Sequence, residues 1–157
     1  MDVAVTGRSD AVESSLEKNR ASLSQLLGHM SAMPQVECPV SHHFSPGVYA
    51  RETRIPAGTV AVGSIHKFEN MLMLILGSAT LVGGGEPQEV QAPFIWVSPP
   101  GVQRAVYAHT DCVFVSVLGT DSRDVDEIRR EFTAESVIAY EQFLLLSAPE
   151  AESCPSS

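Results

Sequence analysis

His66, Glu69 and Arg104 are side chains of this sequence whose types could do chemistry. An imidazole can take or give a proton near neutral pH, and a guanidinium presents a fixed fork of donors that fits phosphate or carboxylate. Each also has a plain structural reading. A single histidine in a strand is commonly a packed residue satisfied by a neighbour, and Arg104 could pair with Glu69 or Glu52. Lys67 follows His66 directly, so a regular strand sends it to the opposite face. Arg51 and Arg54 are an odd number of positions apart and cannot share a strand face. His42-His43 precedes Pro46-Gly47 and reads as a loop pair at a surface or interface. Tyr49 and Tyr107 suit either a pocket lining or the core, and Trp96 reads as a core anchor. Ser98 has no Gly-x-Ser-x-Gly context and is no candidate nucleophile.

Size and charge narrow the field. The 157 residues make about one domain, and a 44% hydrophobic content is ample for a core. The formal net charge is -9, which disfavours nucleic acid and anionic membrane surfaces as partners. Cys38, Cys112 and Cys154 are far apart and form no Cys-x-x-Cys, so a reducing cytoplasm without disulfides is the expectation. The N-terminal residues lack the basic and apolar regions of a signal peptide, and the apolar run Met71 to Leu76 is too short to span a bilayer.

Those residues must be held by short strands between two helical ends. Leu16, Leu23, Leu26, Leu27 and Met30 recur at helical spacing, predicting a helix from Asp10 to Met30 with Ser9-Asp10 at its cap and Glu13 behind it. From Gly47 to Gly119 apolar runs alternate with turn residues. Val48–Ile55, Val60–Ile65, Met71–Leu76, Ala79–Val82, Phe94–Val97, Ala105–Ala108 and Val113–Leu118 read as strands, with a loop over Gly83–Pro87. Many short strands with no helices between them predict an all-β sandwich or barrel. Thr120 to Ser122 can cap a helix spaced by Val125, Ile128 and Phe132, continued after a break near Thr133 by Val137 to Leu146. The expected organisation is an N-terminal helical arm (1–37), a barrel (38–120), a C-terminal helical segment (121–148) and a disordered tail (149–157).

The punctuation carries a resemblance. Pro56-Ala57-Gly58, Ser64-Ile65-His66, Asn70 and Gly77, followed by Pro99-Pro100-Gly101 and Arg104, resemble the two motifs of a cupin. The run from Cys38 to Glu52, with Ile65-His66-Lys67, Ala92-Pro93 and Val97 to Gly101, resembles small cupin-like proteins of tailed phages and prophages, which would place the chain in a host cytoplasm. The resemblance implies a cupin-like double-stranded β-helix, a jelly roll, with helices at both ends. The positions that hold metal in such proteins are here Ser64, His66, Asn70 and Arg104, so a cation site is expected to be lost. A rebuilt divalent site would have to draw on His66, Glu69 and His43. The resemblance instead brings His66 and Arg104 inward on neighbouring strands at one barrel mouth. The expected function is non-catalytic capture of a small anionic molecule, a nucleotide or sugar derivative, by His66, Arg104, Glu69, Ser64 and Tyr49, with no cofactor and no catalytic residue assigned. The outer helical stripes would make a homo-oligomer, most simply a dimer. Two rivals remain open: a cupin enzyme, either a metal-independent sugar-nucleotide isomerase using His66 as base or a metal-dependent one, and a structural part of a phage particle.

Overall fold

The computed structural model of the protein describes the backbone of residues 6–148 and the side chains of residues 17–148. The expected cap at Asp10 and Glu13, the side chain of Leu16, the tail 149–157 and Cys154 lie outside the described side chains. The first helix, α1 (Thr6–Ser31), begins four residues ahead of the expected Asp10 start.

Ten strands follow before the next helix: β1 (Val40–Ser45), β2 (Val48–Ile55), β3 (Val60–Val62), β4 (Ile65–His66), β5 (Asn70–Leu76), β6 (Ser78–Val82), β7 (Gln88–Gln91), β8 (Phe94–Ser98), β9 (Ala105–Ala108) and β10 (Cys112–Gly119). Their pairings are nested: β6 with β7, β5 with β8, β3 with β9 and β2 with β10, all antiparallel. This is one long hairpin, its tip at the Gly83–Pro87 loop, wound into a roll. β10 also pairs with β5, and β9 with β6, which gives sheets ordered β1-β2-β10-β5-β8 and β3-β9-β6-β7. Two facing antiparallel sheets connected in this way form a jelly roll. The fold is therefore the cupin-like β-roll expected from the motif punctuation, with helices at both ends.

Two strands were not legible as strands. β7 is short and polar. β1 contains His42 and His43, expected in a loop, but they stand in an edge strand opposite Arg51 and Ala50. An edge strand has water on its outer side and so lacks a hydrophobic alternation; β1 is exposed at every position but Phe44. The turn that returns it to β2 is made by Gly47, at φ 73°.

Alternation decides what faces inward. On β2, Tyr49, Arg51, Thr53 and Ile55 share the inner face, so Arg51 points in while Arg54 pairs outside with Glu52. One end of the roll is closed by Ile55, Leu74, Ala79, Leu81, Val90, Ala108 and Cys112. The other is covered by α2 (Val125–Phe132), whose Ile128 packs on Tyr49 and Leu118. Asp124 caps α2 by accepting from the amides of Asp126 and Glu127.

After α2 the expected break at Thr133 is itself a strand. β11 (Thr133–Ala134) pairs with β4, with Thr133 opposite His66. The last helix, α3 (Val137–Ser147), is capped by Ser136 and buries Tyr140 against Ile65 and Ala134. Tyr140 also lies on Gly101, where a Cβ would stand 2.7 Å from its Cε1 and φ is 76°. Only glycine fits there. Helix α1 docks on the same corner of its own barrel. Leu23 is buried, and Arg20 donates to the Gly101 carbonyl at 3.3 Å with its guanidinium 5.5 Å from the Tyr140 ring centroid. No helix of the described residues is long and apolar enough to cross a membrane.

Candidate functional site in the barrel cavity

The roll holds a partly open cavity of about 470 Å³ between the Ile55 end and α2. Strand register lays out its wall in rows. Thr53, Phe114, Leu74 and Phe94 stand side by side across β2, β10, β5 and β8, nearest the Ile55 end. Thr53 and Phe114 line the cavity, and Leu74 and Phe94 belong to the core that closes it. The next row is Arg51, Ser116, Leu72 and Trp96. Above it, nearest α2, Tyr49 stands beside Leu118, and Asn70 beside Ser98. The facing sheet contributes Ala61, Val106 and Leu81 in one row. Arg104 precedes Val106 by two residues on the same face, one row nearer α2. The cavity is thus apolar and aromatic towards Ile55, and cationic and polar towards α2.

The polar groups are held from several elements. Arg104 donates from Nη1 to Ser98 Oγ at 2.5 Å. Its guanidinium lies over Gly84 of the β6–β7 loop, where a Cβ would come within 2.5 Å of Nη2. Arg51 donates to Thr53 Oγ1 at 3.0 Å, and Asn70 donates from Nδ2 to Ser116 Oγ at 3.3 Å. Arg129 reaches the lining from α2. Three buried polar atoms at or beside the lining have no partner among the described residues: His66 Nδ1, Asn70 Oδ1 and Trp96 Nε1. Such groups are costly unless something satisfies them.

Burial and, after it, the nearby Arg51 charge hold the His66 pKa below its usual value, which favours a neutral imidazole at neutral pH. Burial also lowers the Arg104 pKa, though a guanidinium keeps its charge across the physiological range. Burial raises the Tyr49 phenol against an opposing effect of Arg51, and the phenol oxygen is 2.8 Å from His42 Nδ1.

Of the residues singled out in the sequence, Tyr49, Ser64, His66 and Arg104 line this cavity together. Glu69 does not: it is exposed in the turn between β4 and β5 and absent from the lining. His43 shares the outer face with Ala50 and Glu52, and its Nε2 is 3.1 Å from Glu52 Oε2. His66 and Arg104 are not on neighbouring strands either. The chain leaves the sheet at Gly63, so β4 pairs with β11 instead of β9, and the two side chains reach the cavity from different sheets. Arg104 takes Ser98 as its partner, not Glu69 or Glu52, which is turned outward towards His43 and Arg54.

Arg51, Arg129, Ser98 and Ser116 were not foreseen as lining residues. Arg51 was within reach of parity, two positions from Tyr49 and four from Ile55. Arg129 had no signal, because nothing in α2 alone says which turn meets the barrel.

The donor set does not suit a divalent cation. One imidazole is accompanied by Arg51, Arg104 and Arg129, and no carboxylate is in the lining. His66, Glu69 and His43 do not come together, and no group of three or more His, Cys, Asp or Glu residues able to hold a metal occurs among the described residues.

No protein-family model matches the chain. No curated protein matches it either. Among solved structures it is similar to a cupin-2 domain protein of Shewanella frigidimarina, at 12% identity over 60% of this chain and 92% of that one, TM-score 0.43. A cupin superfamily protein of Desulfitobacterium hafniense matches at 12% identity over 58% and 86%, TM-score 0.44. Salicylate 1,2-dioxygenase of Pseudaminobacter salicylatoxidans matches at 15% identity over 78% of this chain and 35% of that one, TM-score 0.49. None of these three is described as a phage protein. The jelly-roll fold rests on this chain's own strand pairing.

Proposed function

We propose that this chain is a cupin-like binding protein that captures a small anion inside its barrel, without a metal. One observation carries the reading: Arg51, Arg104, Arg129 and His66 line a single cavity that has no carboxylate in its wall. Arg51 and Arg129 are exposed, and Arg129 lies 3.9 Å from Asp126, but Arg104 is partly buried. A partly buried cation is ordinarily neutralised by a partner, and an arginine fork is matched to carboxylate or phosphate. Among the described residues Arg104 has only the Ser98 hydroxyl as partner, so an incoming anion would supply the missing charge.

The test is thermal unfolding with a panel of inorganic phosphate, a nucleoside monophosphate and small carboxylates, each against chloride at equal ionic strength. At about 100 times Kd a bound anion stabilises by about 2.7 kcal/mol. Arg104→Gln is expected to abolish that gain and leave the far-UV circular dichroism unchanged. No stabilisation by any member of the panel would sink the reading.

We also propose that the chain pairs with a second copy through the outer face of the five-stranded sheet. Met71, Ile75, Ile95 and Val97 are each between 45% and 62% exposed there. The patch is uncharged, so it has nothing to offer a charged partner but is complementary to itself across a two-fold axis.

A further inference from the structure

The wall of the cavity says more than that the ligand is anionic. We infer that the ligand is a monocarboxylate with an apolar, aryl or short alkyl body, not a nucleotide or a sugar phosphate. This rests on the anion-binding reading and narrows it.

The register sets charge and apolar surface at opposite ends of one chamber. Towards Ile55 the wall is Phe114, Trp96, Val106 and Leu81, with Phe94 and Leu74 packed beside it; Thr53 is the hydroxyl of the Phe114 row and Ser116 that of the Trp96 row. The aromatic rings form a continuous surface: Phe94 and Trp96 are tilted with centroids 5.3 Å apart, and Phe114 stands edge-on to Trp96 at 6.4 Å. A ribose or hexose placed there would bury several hydroxyls against carbon, each losing its water without a replacement. An aryl or alkyl group loses nothing and gains contact with the two rings that line the cavity, Trp96 and Phe114.

The charged end fits a carboxylate. Arg104 and Arg51 enter from opposing sheets, and beside the lining Asn70 is only 4% exposed with its Oδ1 unpartnered among the described residues. Trp96 Nε1, also unpartnered, lies in the row of Arg51 where the two halves meet. A carboxylate at that level reaches a guanidinium fork, and its body lies along the rings.

Trp96 is the only tryptophan of the chain, so binding can be read at the wall itself. The intact protein is titrated with phenylacetate, hexanoate, inorganic phosphate and uridine monophosphate, following Trp96 emission and, independently, heat. Phenylacetate or hexanoate is expected to bind about tenfold or more tightly than phosphate or the nucleotide, from transfer of the apolar body. Phe114→Leu is expected to weaken phenylacetate selectively, and Arg104→Gln to weaken every anion. Equal or tighter binding of phosphate or the nucleotide overturns the carboxylate assignment and leaves anion capture standing. Heat and emission silent for all four probes overturn both.

Discussion

His66 is held neutral by two things acting in the same direction: its loss of water and the guanidinium of Arg51. Arg104 lines the same cavity, and no carboxylate is in the lining; Arg129 is exposed and lies 3.9 Å from Asp126. The folded state therefore takes up a proton at His66 less readily than the unfolded chain, whose imidazole titrates near 6.5. The linked stability is fully present above that value and is lost as pH falls from it towards the lower folded value. Thermal or urea unfolding of the ligand-free protein is expected to show falling stability from about pH 7 downward. In His66→Gln that slope is expected to be reduced, leaving only the carboxylate-linked loss at more acidic pH. An unchanged slope would mean that His66 is solvated, not desolvated. At this scale the sequence exposed His66 and Arg104 through their motif positions. It could not expose Arg51 and Arg129 as their companions, because a side chain's neighbours across a roll belong to strands and helices distant in sequence.

At the scale of elements, the C-terminal segment is part of the site rather than an appendage. α2 covers the polar end of the cavity with Ile128 and contributes Arg129, and β11 holds β4, and with it His66, in place. The cap at Asp124 starts this assembly. Asp124→Ala is expected to cost about 1 kcal/mol of global stability. It is also expected to raise amide exchange over Val125–Phe132 while strands β5 and β10 keep their protection, as measured by hydrogen exchange. Uniform loss across the molecule would show that α2 does not open on its own. The strands of the roll were largely legible because Val48–Ile55 and Met71–Leu76 are β-branched or apolar runs ended by glycine or proline. β1 and β7 were not, since an edge needs little apolar surface. The break at Thr133 was visible, but its pairing with Ile65-His66 was not, as two-residue strands leave no periodicity to read.

At the scale of the molecule, apolar surface is exposed both on the outer sheet face and on α3, where Ile138, Leu144, Leu145 and Leu146 stand exposed. The α1 stripe is partly used within the chain, where Leu23 is buried against the β6–β7 loop and Arg20 reaches Gly101. The outer sheet face keeps Ile95 and Val97 exposed. Ile95→Lys is expected to shift the protein from dimer towards monomer in sedimentation experiments at micromolar concentration, with Tm changed little in the monomer. A wild type that sediments as a monomer at every concentration would leave that face without its proposed partner. The position of β10 has a separate consequence, for how the chain is made. Cys112–Gly119 is the last barrel strand in sequence yet sits in the middle of its sheet, between β2 and β5. On a ribosome, the strands emerging before it have two raw backbone edges and an unclosed interior. Closure must wait for most of the polypeptide, which argues for late, slow folding and a period of vulnerability to strand-edge aggregation. Chains stopped before Cys112 should have no stable barrel at all.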